Sequence, residues 1–121
     1  FVQGKLANMY AEIGDVWLSS GLYPEAIQEY RRALELGPAF ADIRSRLAGA
    51  LRDSGEREQA IKEYEEVVRQ NPSYVPARLN LGLSLYASGR KDDAVKQWKT
   101  VLEISPGNRN AEMYLDLEKS P

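Results

Sequence analysis

The sequence predicts an all-α solenoid of antiparallel helix pairs, with about seven helices, and three observations predict it. First, the stretch Tyr74 to Pro106 recurs at a fixed spacing of 34 residues: Gly89 falls on Gly55 and Gly21, Ala94 on Ala60 and Ala26, Trp98 on Tyr64 and Tyr30, and Pro106 on Pro72 and Pro38. Second, apolar residues within each unit recur three and four apart in two separate runs, which is the spacing of one buried stripe per helix. Third, a glycine closes the first run and a proline follows the second, and these are residues that end helices. Self-similarity at this spacing, with one helix–turn–helix per unit, marks a stacked array in place of a single central core.

Each element follows in order. With Ala7, Ala41 and Val75 as the first position of each unit, the repeats cover about 7–40, 41–74 and 75–108. The first helix of unit one opens near Ala7, carries its stripe on Tyr10, Ile13, Gly14 and Trp17, and stops at Gly21. A glycine there can take the left-handed conformation without steric cost. Its partner runs from Tyr23, where Pro24 in the first turn is harmless because the amide it lacks has no helical acceptor. That partner's stripe is Ala26, Ile27, Tyr30, Ala33 and Leu34, ended by Pro38. Unit two opens at Ala41 with Ile43, Leu47, Ala48 and Leu51, stops at Gly55, and resumes from Glu56 with Ala60, Ile61, Tyr64, Val67 and Val68 before Pro72. Unit three opens at Val75 with Leu81, Gly82 and Leu85, stops at Gly89, and resumes from Lys91 with Ala94, Val95, Trp98, Val101 and Leu102 before Pro106. Glu58–Lys62 and Glu65–Arg69, four residues apart, are expected as exposed ion pairs. Gly14 and Gly82 lie inside helices at a cost of roughly 1 kcal/mol each; the expectation is that they face Ala26 and Ala94 and let paired helices approach closely. A final helix over about 109–119 has apolar Ala111, Met113, Tyr114, Leu115 and Leu117 but carries Glu112 and Asp116 where full units are apolar or small, the pattern of a terminal cap.

Composition limits the chemistry. The 121 residues, 43% hydrophobic and 28% charged, give room for one folded domain over 1–121 and do not match a disordered chain. A net charge of −2 supplies no basic field for nucleic acid or an anionic membrane. No apolar run approaches the roughly 20 residues that cross a bilayer, and no signal-peptide pattern opens the chain, so neither membrane insertion nor export is expected and the setting is read as cytoplasmic. With no Cys and no His, there is no disulfide, thiol nucleophile or His-based triad, and zinc would be left with carboxylates alone. No cofactor, metal or enzymatic activity is expected. Carboxylate neighbours such as Glu65/Glu66 and Asp92/Asp93 point to different sides of a helix and do not converge. The chain opens at Phe1 without an initiator Met, which reads as a piece of a longer or processed protein, and Phe1 to Gly4 read as the tail of an earlier repeat.

These residues resemble the tetratricopeptide repeat family. Its pattern has a large residue at position four, Leu-Gly at seven and eight, an aromatic at eleven, Gly at fifteen, Ala at twenty, an aromatic at twenty-four, Ala at twenty-seven and Pro at thirty-two. Unit one supplies Tyr10, Gly14, Trp17, Gly21, Ala26, Tyr30, Ala33 and Pro38, and unit three supplies Leu81, Gly82, Gly89, Ala94, Trp98 and Pro106. Departures are Arg44 and Arg78 at position four, and Val67 and Val101 at twenty-seven. The resemblance implies a right-handed superhelix whose first helices line a concave groove that binds peptides or helices of other proteins.

The same resemblance implies which residues face the groove. Unit one places Asn8, Ala11, Glu12, Asp15, Leu18 and Ser19 there; unit two places Asp42, Ser45, Arg46, Gly49, Arg52 and Asp53. Unit three places Pro76, Leu79, Asn80, Leu83, Tyr86 and Ala87, and the cap extends the wall with Asn110, Met113, Tyr114 and Leu117. The surface runs from acidic and polar, through arginine, to apolar. One subfamily, the co-chaperones of the heat-shock chaperones, clamps a C-terminal carboxylate with Lys and Asn at five and nine of one unit, Asn at six of the next, and Lys and Arg at two and six of a third. Those positions here are Ala11, Asp15, Arg46, Pro76 and Asn80. None matches, and Asp15 would repel a carboxylate.

Arg46 and Arg52 are read either as ligands for a partner's acidic group or as partners of Asp15, Asp42 and Asp53. Leu79, Leu83 and Tyr86 form an apolar patch, a feature that often marks a binding surface, unless the cap covers it through Met113, Tyr114 and Leu117. Partial cover that leaves Leu83 and Tyr86 accessible is the expectation. Asn80 matches a position whose amide, in the family, holds a peptide backbone. Gly49 reads either as a place for close backbone approach or as a harmless glycine. The expected function is a non-catalytic adaptor for another protein. The alternative is self-association, or a spacer within a longer array, favoured by an apolar outer face at Leu6, Met9 and Ile13.

Overall fold

Apolar side chains spaced three and four apart fold as amphipathic helices, and seven such helices make up the described residues, 2–120, of the computed structural model. They are α1 (Val2–Ser19), α2 (Tyr23–Leu36), α3 (Ala41–Asp53), α4 (Arg57–Gln70), α5 (Val75–Ala87), α6 (Lys91–Ile104) and α7 (Arg109–Lys119). Each packs chiefly on its neighbours in the chain: α1 on α2, α3 on α4 and α5 on α6 within units, α2 on α3 and α4 on α5 between them, and α7 on α6. The core is therefore a strip running the length of the stack. Tyr30, Ile43, Leu47, Leu51, Ile61, Tyr64, Val67, Leu81 and Val101 are fully enclosed along it.

The turns between paired helices follow from glycine. Gly21, Gly55 and Gly89 have φ of 74°, 90° and 84°, conformations that a Cβ would strain. With each glycine left-handed, the next amide reaches back to a carbonyl of the last helical turn: Leu22 to Trp17 at 3.0 Å, Glu56 to Leu51 at 2.8 Å and Arg90 to Leu85 at 2.9 Å. This six-residue closure satisfies carbonyls that the helix end leaves open. Gly107, not anticipated from the repeat, turns the chain into α7 in the same conformation, with φ of 82°.

Several expectations are corrected. Helix α1 starts at Val2, five residues before Ala7, so Val2 to Gly4 belong to it and not to the tail of an earlier unit; Phe1 lies outside the described residues. Its buried stripe is Ala7, Ala11 and Gly14, with Tyr10 half-buried, whereas Ile13 and Trp17 are 38% and 37% exposed. Small residues face inward because α2 brings Tyr30 against them. A Cβ at Gly14 would lie 2.7 Å from Tyr30 Cε1, and one at Gly82 would lie 2.7 Å from Trp98 Cε2. The helical glycines thus receive the aromatic ring of the partner helix and not its alanine. Arg69 pairs with Glu66, three residues back, and not with Glu65.

Arg44 and Arg78, the departures at position four, form the same brace in two units. Arg44 donates to Glu63 Oε1 at 2.7 Å and to the Pro38 carbonyl at 2.9 Å; Arg78 donates to Gln97 Oε1 at 2.9 Å and to the Pro72 carbonyl at 2.7 Å. Each guanidinium ties a first helix to its partner helix and to the proline loop before it. Burial lowers the Arg78 pKa, with the Glu103 charge opposing the effect.

Candidate functional site

The first helices stand side by side, and their polar side chains tie them together. From α3, Arg46 Nη1 reaches Asp15 Oδ2 of α1 at 3.0 Å, and its other nitrogen reaches Asp42 at 3.4 Å. Asp15 also accepts the hydroxyl of Tyr30 at 2.6 Å. One unit on, Arg52 donates to Asp53 at 3.3 Å, to the Tyr64 hydroxyl at 3.4 Å and to Asn80 Oδ1 of α5 at 3.4 Å. The Asn80 amide donates to the Pro76 carbonyl at 3.1 Å. Both arginines and Asn80 are thus engaged within the chain, as the second of the two readings of the arginines has it.

Two tyrosines bring their polar ends to this network. Burial, then the hydrogen bond to Asp15, then the Asp15 charge hold the Tyr30 hydroxyl pKa well above its ordinary value, with Arg46 opposing. Tyr64 is also raised, chiefly by burial; Arg52 lowers it and Asp53 raises it. Both hydroxyls stay protonated near neutrality and act as donors or acceptors, not as acids. The sequence carried a signal for them: tyrosine at position twenty-four of two units has a hydroxyl that needs a partner once the ring is buried.

The apolar end is built by α5, α6 and α7. Leu83, Tyr86, Trp98, Tyr114, Leu117 and Glu118 line a cleft of about 140 Å³. Trp98 forms its floor, with ring centroids 5.9 Å from Tyr86 and 5.3 Å from Tyr114, and its indole N–H donates to the Leu79 carbonyl at 3.4 Å. Lys91 Nζ stands 5.3 Å from the centre of the Tyr86 ring. Leu83 is 37% exposed and Leu117 64% exposed. The cap covers the patch in part: Leu79 is packed half-buried against the core, while Leu83 opens into the cleft beside half-buried Tyr86. Met113, 48% exposed on α7, stands outside the cleft lining. Trp98 was expected only as a core residue.

The remaining residues are dispersed. Asn8 is exposed on α1. The Ser45 hydroxyl is enclosed without a hydrogen-bond partner, so it does not present itself to an open face. Ala11, at the same position of unit one, is fully buried. At Gly49 a Cβ would meet Tyr64 Oη at 3.7 Å and Arg52 Nη2 at 3.8 Å, ordinary contact distances.

A family model described as tetratricopeptide repeat matches residues 45–109, more than half of the chain. The chain belongs to the tetratricopeptide repeat (TPR) family. A second model, described as TPR repeat, matches residues 14–51. No curated protein matches the chain. Among solved structures, the first TPR of Spaghetti (RPAP3), bound to the HSP90 peptide SRMEEVD, is 25% identical with a TM-score of 0.88 over 95% of this chain and 91% of its own. The first TPR domain of human RPAP3 is 26% identical with a TM-score of 0.86, over 93% of this chain and 89% of its own. The second TPR domain of human RPAP3, in complex with the HSP70 peptide SGPTIEEVD, is 25% identical with a TM-score of 0.86, over 99% of this chain and 98% of its own. The TPR array is thus the right-handed superhelical solenoid of helix pairs that the resemblance to the family implies. Among the described residues, no helix is long and apolar enough to cross a membrane.

Proposed function

We propose that this TPR domain, built over 1–121 from three repeats and a capping helix, is a non-catalytic adaptor that holds a peptide or amphipathic helix of another protein along its inner face. The observation that carries the reading is the open apolar cleft of Leu83, Tyr86, Tyr114 and Leu117 over Trp98. A rigid, aromatic-walled cleft on a helical scaffold suits one buried apolar anchor of a partner. Polar contacts come from Arg46, Arg52 and Asn80 on α3 and α5, and from Asn8 at the far end on α1. The arginines are already paired with Asp15, Asp42 and Asp53, so a partner's carboxylate exchanges one ion pair for another and gains little. Affinity therefore rests on the anchor, and charge sets register. That TPR domains of this fold hold HSP90 and HSP70 peptides supports a polypeptide ligand, but not the same one. At the five clamp positions this chain has buried Ala11, Asp15 bonded to Tyr30 and Arg46, then Arg46, Pro76 and Asn80.

Peptides selected from a random library on the purified chain test this by titration against variants. Burying one large apolar side chain is worth about 1.5–3 kcal/mol, so Leu83→Glu is expected to weaken the selected peptides at least roughly tenfold, with the helical circular dichroism unchanged. Arg46→Glu is expected to weaken them only about two- to fivefold, given the modest worth of exposed ion pairs. The peptide SRMEEVD is expected to give no measurable heat. Unchanged affinity in the Leu83→Glu, Arg46→Glu double variant would refute the assignment.

A further inference from the structure

One repeat back from the apolar cleft, between units two and three, lies a second hollow of different chemistry. Arg52, Leu83 and Ser84 stand one repeat before Tyr86, Leu117 and Glu118 of the cleft. With Gly55, Arg57 and Ala87 they line a space of about 330 Å³. Leu83 lines both hollows and so stands between them. The walls belong to α3, α4 and α5, each of which has a neighbouring helix before and after it in the stack.

Positions twelve and seventeen of a unit come together across its turn. In unit three they hold Tyr86 and Lys91, an ammonium 5.3 Å from a ring centre, which is an attractive contact. In unit two they hold Arg52 and Arg57, two guanidiniums on one hollow. Arg52 keeps Asp53 at 3.3 Å. Among the described residues no carboxylate pairs with Arg57, whose Nη1 donates to the Ala87 carbonyl at 3.4 Å. The nearest acids in sequence, Glu56 and Glu58, are absent from the lining, and Glu56 accepts from Ser54 and Gln59. Arg57 also opens α4, the end of a helix where the backbone dipole disfavours a cation. One positive charge is thus left over beside apolar Leu83 and Ala87, a setting that an anion relieves.

On the reading that the inner face holds a peptide, we propose that this hollow takes an Asp or Glu side chain of that peptide, three residues from its apolar anchor. The two hollows are one unit apart, and helices packed side by side are about 8–10 Å apart. A segment in the polyproline II conformation has three residues per turn and rises about 3.1 Å per residue, so residues three apart face the same way at about 9 Å. The inner face continues past the hollow to Arg46 on α3 and Asp15 on α1, so a segment along it offers a side chain there and not its chain end. A carboxylate gains more here than at Arg46, because Arg57 has no ion pair to give up whereas Arg46 has two. The peptide SRMEEVD carries no acid three residues from its Met or its Val, in keeping with its expected failure to bind.

Peptides selected on the purified chain from a random library, then remade with amidated C-termini, test the assignment by titration. The expected consensus has Asp or Glu three residues from a large apolar residue. Arg57→Glu is expected to weaken these peptides about five- to tenfold with the helical circular dichroism unchanged. Replacing the peptide acid by Lys is expected to weaken binding to the parent chain and to restore it to the Arg57→Glu variant, an exchange of preference that a merely structural arginine does not give. Leu117→Glu, which touches the apolar cleft and not the basic hollow, is expected to weaken every selected peptide. A consensus without the acid, or an Arg57→Glu variant indifferent to the acid-to-Lys exchange, overturns the proposal; if Leu117→Glu still weakens binding, the adaptor reading stands without it. Peptides indifferent to Leu117→Glu, or a selection that yields none, overturn both.

Discussion

At Gly82 a single missing methyl decides how the third unit packs. Trp98 occupies the space, is 2% exposed, and is itself held between Tyr86 and Tyr114. Gly82→Ala is therefore expected to cost about 1–3 kcal/mol, the scale of overpacking, measured by urea unfolding. Gly49→Ala is expected to do the reverse. Its Cβ meets nothing closer than 3.7 Å, so relief of helical glycine should add about 0.5–1 kcal/mol. Both glycines are visible in the sequence; which one has an aromatic ring over it is not. The tyrosines make a second prediction at this scale. Burial and Asp15 raise the Tyr30 pKa in the folded chain, so the unfolded tyrosine ionises first, near pH 10. The stabilisation is complete below pH 10 and falls as pH rises above it. Thermal melts at pH 9 and pH 11 should show a loss of melting temperature that is smaller in Tyr30→Phe, because Tyr64 alone then contributes.

The helices were legible because each carries its own signals. Apolar spacing, a glycine at the end of each first helix and a proline after each second helix bring the starts of α2 to α7 within one residue of expectation. Helix α1 escaped at its start because Gly4, one period before Pro38, reads as the end of an earlier unit, and the period sets the origin at Ala7. Its burial escaped too, because Ile13 and Trp17 are apolar at helical spacing whether or not a neighbour covers them. At the other end, α7 has a device that α2 to α6 lack. The Asn108 side chain accepts the Ala111 amide at 3.0 Å, whereas the N-caps of α2 to α6 make no such bond. Asn108→Ala is expected to cost about 1 kcal/mol and to raise amide exchange through Ala111–Leu115. An unchanged exchange rate there would mean that packing on α6 alone holds the cap.

Because each helix contacts chiefly its neighbours along the chain, stability is distributed along a line. Truncation after Gly107, removing α7, is expected to bare Trp98, which Tyr114 covers, and to raise hydrogen exchange in α5 and α6 far more than in α1 to α3. A uniform rise across all helices would indicate one cooperative core instead of an array. The arginine braces belong to the same picture: Arg44 and Arg78 fasten each unit to the loop before it. They looked like departures because a large charged residue at a packing position reads as an exception until its carbonyl acceptors are known.

The spacing of glycines, prolines and apolar residues determined the fold class, the number of helices and their pairing, because those signals act within one turn or one helix and do not depend on what lies across the molecule. The tertiary structure alone decided the state of the inner face. Whether Arg46 is available or bound to Asp15, and whether Leu83 opens into a cleft or is capped, both depend on contacts between residues some thirty positions apart. Such contacts are set by how the helices stack, a relation to which no single stretch of sequence is sensitive.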